Sequence, residues 1–365
     1  ASSNVNNINN VNVTDQMFTL QQLVSAYNVP IVTPVGNAKK VRVAIVIAYT
    51  WPSLKSDLDL YWKIMNGATA VAPPINVYTM PGATVDVGWA GEECLDVQMV
   101  CAMNPNADIW VVEAKSASFT DLMSAVNYAT NTLHADILSM SWGTNDQSNL
   151  STAYGSAFSN TSICYCASSG DSNTASWPSS MSNVISVGGT SVNLFSGLRN
   201  ETTWGSAGSG YTSQPIPVYQ NSCLPASIIS AKRRLIPDVS LIANPSTGVY
   251  TVFQGQLTSV GGTSVSAPLF AGMLSLANQM RFNNNKPALT TVVGQRNIQS
   301  CLYGLMASPS AYATNFYDVI VGTDKGSSVS GNTILQVFKT GKGFDIPTGL
   351  GSPNCKEICN TLSKL

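Results

Sequence analysis

Short, almost wholly apolar runs rich in valine and isoleucine alternate with segments of helical spacing along the first half of the chain. No other feature restricts the fold so strongly. The runs are "VRVAIVIAYT" (41–50), "INVYTM" (75–80), "ADIWVVEA" (107–114), "ADILSMSW" (135–142), "SICYCASSG" (162–170) and "VISVGGT" (184–190). A strand without polar alternation is buried on both faces, and strands separated by helices pair in parallel rather than in hairpins. "EECLDVQMVCAM" (92–103) and "FTDLMSAVNYATNT" (119–132) repeat apolar residues at helical spacing, and "APLFAGMLSLANQM" (267–280) reads as a buried central helix. The expected class is therefore α/β, a mainly parallel central sheet with helices on both faces.

No repeat or linker divides the 365 residues, so one domain is expected over 17–365. It is preceded by a loosely held Asn-rich arm, "ASSNVNNINNVNVTD", within 1–16. Charged residues make up only 10% of the chain, 18 basic against 19 acidic, where about a quarter is usual. This balance points to neither nucleic acid nor an anionic membrane as a partner, and such a surface gains little self-repulsion in acid. No apolar run reaches transmembrane length. Eight cysteines without a CxxC pair, together with sequons at Asn12, Asn149, Asn160 and Asn200, favour disulfides, glycosylation and a secreted or lysosome-like compartment. Ala1 is read as the start of a processed mature chain.

Three stretches carry chemistry. In "SVGGTSVSAPLF" (259–270) a small-residue turn runs into an apolar helix, which places Ser264 at a helix N-terminus, where free N–H groups can stabilise an oxyanion. The usual base for such a serine is histidine, but His134 is the sole histidine and stands where a helix gives way to a strand. In "GWAGEECLDVQMV" (88–100), a helix from Glu92 onward makes Glu92 and Asp96 i,i+4 neighbours and brings Glu93 within i,i+3 of Asp96. Carboxylates that close share a proton and can tune a general base, or they can simply serve a solvated helix start. In "YCASSGDSN" (165–173), Asp171 follows an apolar strand, where α/β proteins place active-site groups and where turn-capping aspartates also occur.

The ordered set "AGEECLDVQ", "SMSWG", "SSGDS", "IPDVS", "GGTSVSAPLFAG" and "TGKGFDIPTGLGSP" resembles the sedolisin family of serine-carboxyl peptidases, from about Phe18 to Asn354. The resemblance implies a subtilisin-like fold and acid-acting hydrolysis of peptides through an acyl-enzyme. It assigns Ser264 as nucleophile, Glu92 as general base, Asp96 as its orienting partner and Asp171 as the oxyanion-site acid, and its spacing passes over Glu93. Ser141, Trp142 and Gly143 are the implied substrate-binding residues. Calcium is the implied cofactor, held by Asp318, Asp345 and the carbonyls of Val319, Gly341 and Gly343, a hard-oxygen set. The implied partners are peptide or protein substrates and the chain's own propeptide, the protein being a zymogen before maturation and a monomer.

Some positions depart from the family pattern. Ile47 stands where many members carry a glutamate, so a shorter proton network is expected, with Trp142 lacking that partner. Lys339 and Lys342 flank the calcium loop, and Asn173 replaces a common glycine. Two alternatives remain open at this level: a catalytically inactive calcium-binding member, and a neutral peptidase using His134.

Overall fold

The computed structural model describes residues 17–194 and 199–365. The expected arm over 1–16 and the Asn12 sequon lie outside the described residues. Shorter turns and two-residue bridges aside, the helices are α1 Leu20–Ala26, α2 Leu54–Asn66, α3 Val87–Met103, α4 Phe119–Asn131, α5 Thr263–Asn283 and α6 Cys355–Leu362. The strands are β1 Arg42–Ala48, β2 Ile75–Thr79, β3 Asp108–Ala114, β4 Ile137–Met140, β5 Cys164–Ser168, β6 Val184–Asn193, β7 Asn200–Thr203, β8 Gly210–Pro215, β9 Arg233–Ile236, β10 Val239–Ile242, β11 Val249–Phe253, β12 Gln256–Val260, β13 Thr323–Ser328 and β14 Gly331–Lys339.

The six apolar runs become β1 to β6 and form one sheet in the order β10-β6-β5-β4-β1-β3-β2. Every neighbouring pair in that path is parallel, and β7 adds antiparallel to β6. The two faces are read directly from β1. Val43, Ile45 and Ile47 join the core under α3 and α5, while Ala44, Val46 and Ala48 join the core under α4, as the two-residue period of a strand requires. The expected α/β, subtilisin-like layer order is thus observed. Because the chain leaves β1 for β2 and β3 on one side and crosses to β4 on the other, the strand order reverses beside β1. Ligand sites gather beyond the carboxyl ends of strands at such a reversal.

A second, four-stranded sheet, β9-β8-β13-β14, and the hairpin β11–β12 lie outside that pattern. The strands of that second sheet carry no continuous apolar run, and so do not announce themselves in the sequence. α3 begins at Val87, with Asp86 accepting from the Trp89 N–H at 2.9 Å. Glu92 therefore stands in its second turn rather than at its start.

The expected disulfides are not formed; all eight cysteines are free thiols. Six are buried and behave as small apolar side chains. Cys355 and Cys359 come within 3.9 Å, the approach of neighbours on one helix turn and far from the ~2.05 Å of a sulfur–sulfur bond. Compartment assignment therefore loses its cysteine argument. Asn149, Asn160 and Asn200 are exposed, and no helix among the described residues is long and apolar enough to cross a membrane.

Candidate active site

Ser264 lies in the first turn of α5. Its N-cap, Gly262, has φ +108°, a backbone state open to glycine at little cost. A Cβ there would meet Asp171 Oδ2 at 2.8 Å. Glycine also offers no capping side chain, and Asp171 supplies the missing oxygen from beyond β5. Its Oδ1 accepts from the Thr263 N–H and the Thr263 hydroxyl, both at 2.8 Å. Val265 N–H bonds the Gly262 carbonyl at 3.0 Å. Inside the helix, Pro268 has no N–H to give to the carbonyl of Ser264 four residues back. The Ser141 hydroxyl approaches that carbonyl at 3.4 Å instead.

α3 packs beside α5 and brings Glu92 and Asp96 to the serine. Asp96 is fully buried, and neither of its oxygens finds a donor among the described residues; Glu92 Oε1 is buried in the same condition. Two such carboxyl groups can satisfy each other by sharing a proton. Burial is the main cause raising both above the ordinary carboxylate range. Ser264 and Asp96 act on Glu92 as hydrogen-bond partners in the lowering direction, and the Asp171 charge acts in the raising one. For Asp96 the neighbouring Glu92 adds to the rise, and Ser141 opposes it.

The cleft in front of the serine has a volume of about 230 Å³ and is lined by Ser141, Trp142, Gly143, Asp171 and Ser172 among others. Trp142 donates its indole N–H to the Val46 carbonyl at 2.9 Å, so the partner missing at Ile47 is replaced by backbone. Gly143 is required by close approach, since a Cβ would stand 2.4 Å from the Trp177 carbonyl. Asp171 is exposed, because it caps a helix end at the cleft mouth. His134 is exposed at φ +50° before β4 begins. Ser141 follows the far end of that strand, so His134 is remote from Ser264 by the length of β4.

Asp318 and Asp345 meet at the loop after β14. Asp318 Oδ2 accepts from Gly343 N–H at 2.9 Å, and Asp345 Oδ2 from Gly341 N–H at 3.1 Å. Asp345 is 5% exposed and pushed up to about 7, chiefly by burial and partly by Asp318. Val319 is buried, while Lys339 and Lys342 are exposed. Among the described residues no cluster of three or more His, Cys, Asp or Glu side chains could hold a metal. A cation here would depend on backbone carbonyls for most of its ligands.

Two buried residues went unassigned in the sequence, Glu93 and Glu113, each 1% exposed. Nothing local marks Glu113, a lone carboxylate at the end of an apolar strand.

Comparison with known proteins places this geometry. The profile of the subtilase family matches residues 89–302, which hold Glu92, Asp96, Asp171 and Ser264. The chain is 29% identical to kumamolisin of Bacillus sp. (strain MN-32) over 316 residues, 77% of this chain and 53% of that protein. It is 27% identical to tripeptidyl-peptidase 1 of Dictyostelium discoideum over 318 residues, 78% of this chain and 49% of that protein. The chain thus spans about half the length of these relatives. The structure of Pseudomonas sedolisin, a serine-carboxyl proteinase complexed with two molecules of pseudo-iodotyrostatin, superposes with a TM-score of 0.74 at 24% identity. That alignment covers 94% of this chain and 97% of that one. The fold, the matched profile and these relatives agree: the chain belongs to the subtilase family and, within it, to the sedolisin family.

Proposed function

We propose that the protein is a serine-carboxyl peptidase that hydrolyses peptide bonds in acid. The observation that carries this reading is the Glu92–Asp96 pair beside Ser264, with Asp96 and the Glu92 Oε1 buried and no histidine near it. Ser264 Oγ attacks the peptide carbonyl carbon as Glu92 takes the hydroxyl proton, with Asp96 orienting Glu92. The tetrahedral oxyanion forms at the α5 N-terminus, where Asp171 and the Ser264 N–H stabilise it. Collapse breaks the C–N bond, and the proton held by Glu92 passes to the leaving amine. Water then repeats the sequence on the acyl-enzyme, returning the proton through Glu92. Ser141, Trp142 and Gly143 bind the substrate along the cleft.

Replacing Ser264 with Ala tests the reading. The variant is expected to fold and to lose about 10⁴-fold or more in kcat/KM, whereas His134→Ala retains activity. Equal losses in the two folded variants would overturn the base assigned to Glu92. Cleavage of one oligopeptide with free and acetylated N-termini separates endopeptidase from tripeptidyl action, the latter being lost on acetylation.

For the second site we propose Ca²⁺. A carboxylate pair in which Asp318 raises the proton affinity of Asp345 inside a glycine loop fits a hard cation, with Asp318, Asp345 and the carbonyls of Val319, Gly341 and Gly343 as ligands. The ion would neutralise the pair and hold the C-terminal segment; it takes no part in the chemistry.

A further inference from the structure

The sheet register sets Glu113, near the end of β3, beside Ile47 of β1 and Thr79 of β2. Residues paired in a parallel sheet face the same side, and Ile47 belongs to the core under α3, so Glu113 points toward α3. There the Thr79 hydroxyl donates to its Oε2, and the Trp51 N–H approaches its Oε1 at 3.4 Å. Glu93 descends from α3 toward Glu113, which raises its proton affinity, and its buried Oε1 meets no donor. Asp96, the partner of Glu92, lies one helical turn further along the same helix and acts on Glu93 electrostatically.

No ion pair among the described residues involves these groups. The titratable neighbours are Glu92, Cys94 and Asp96 on α3 and Asp57 from α2. Asp57 accepts from Trp51 Nε1 at 2.9 Å, from the Gly255 N–H at 2.8 Å and from Cys94 Sγ at 3.5 Å. β1 contributes only Ile47. Two buried carboxyls this near each other and without a cation keep one charge between them. Glu113 already accepts two donors, so Glu93 holds the proton. Burial and Glu113 push Glu93 up to about 11.

We propose that Glu93 and Glu113 form a second carboxyl pair behind the catalytic one, and that the charge on Glu113 makes it a positioning residue that fixes the pH at which the Glu92–Asp96 pair takes its proton. This rests on the reading of Glu92 and Asp96 as the base system. On this proposal the carboxylate absent at Ile47 is supplied from the adjacent strand.

The test compares kcat and kcat/KM against pH for the wild-type chain, Glu113→Gln and Glu93→Gln. Removing the Glu113 charge should move the acid limb lower by about one pH unit. Glu93→Gln exchanges one neutral donor for another, so both limbs should stay in place. An unmoved limb in Glu113→Gln, or an equal shift in Glu93→Gln, overturns the proposal. A readout free of turnover is the ¹³C signal of the Glu93 carboxyl in the wild-type chain, expected to remain at its protonated position from pH 4 to about 8. Titration of that signal below neutrality also overturns the second pair. Full activity in Glu92→Gln would instead remove the base assigned to Glu92, while the carboxyl signal would still decide the Glu93–Glu113 pair.

Discussion

Asp171 has two tasks that a substitution can separate. One oxygen caps α5 through Thr263, and the other faces the position a Cβ on Gly262 would occupy. Asparagine caps a helix as well as aspartate does, whereas alanine loses about 1 kcal/mol. Asp171→Asn is therefore expected to fold normally while presenting a permanent hydrogen-bond donor to the oxyanion. An acid at this position donates only in its protonated form, which asparagine mimics at every pH. In Asp171→Asn the alkaline fall in kcat/KM should be weaker even if the peak rate drops. An alkaline limb identical to wild type would show that another group governs it.

α3 does more than carry the two carboxylates. Gln98, two residues beyond Asp96 and fully buried, accepts from the Val252 N–H at 2.8 Å and the Thr251 hydroxyl at 2.6 Å, and donates to the Val252 carbonyl at 2.8 Å. It fastens the β11–β12 hairpin, which runs directly into Gly261, Gly262 and Ser264. Gln98→Leu fills much of the same volume but leaves those three groups unpaired, each costing about 1–3 kcal/mol where solvent cannot reach. The expected outcome is destabilisation by about 2–4 kcal/mol in urea unfolding, accompanied by loss of activity as the serine turn loosens. Stability close to wild type would mean that the hairpin finds other partners.

Several buried carboxyl groups bias the entire fold toward acid. Asp324 and Asp345 are each pushed up to about 7, chiefly by burial, and Glu93 to about 11. A carboxyl group whose proton is held more tightly in the folded state stabilises that state below its unfolded value, about 4. The contribution is lost as pH rises through the folded value. The melting temperature should accordingly be higher near pH 4 than near pH 8, with the main decline approaching neutrality. A proposed Ca²⁺ at Asp318 and Asp345 opposes that decline by binding the ionised pair. Chelation with EDTA should therefore lower the melting temperature near pH 7–8 and have little effect near pH 4, where protons occupy the carboxyls. A melting temperature that rises toward neutrality would contradict the first expectation, and no chelation effect at any pH the second.

The continuous apolar runs were enough to read β1 to β6, the parallel sheet and its helices, because burial on both faces leaves its mark in every residue of such a strand. The i,i+4 spacing of Glu92 and Asp96 was equally legible, since a helix fixes which neighbours share a face. Exposure of Asp171 was not, because it depends on a helix terminus 92 positions along the chain meeting the end of β5. The expectation of disulfides fails for a related reason: an even count says nothing of the distances at which packing leaves the sulfurs. The second sheet was hidden because its strands lack the apolar run that marks the first. Glu113 shows the division most sharply. Its neighbours Glu93 and Thr79 lie 20 and 34 residues away in sequence, and only the register of β2, β1 and β3 under α3 brings the buried Glu93 and Glu113 side chains together.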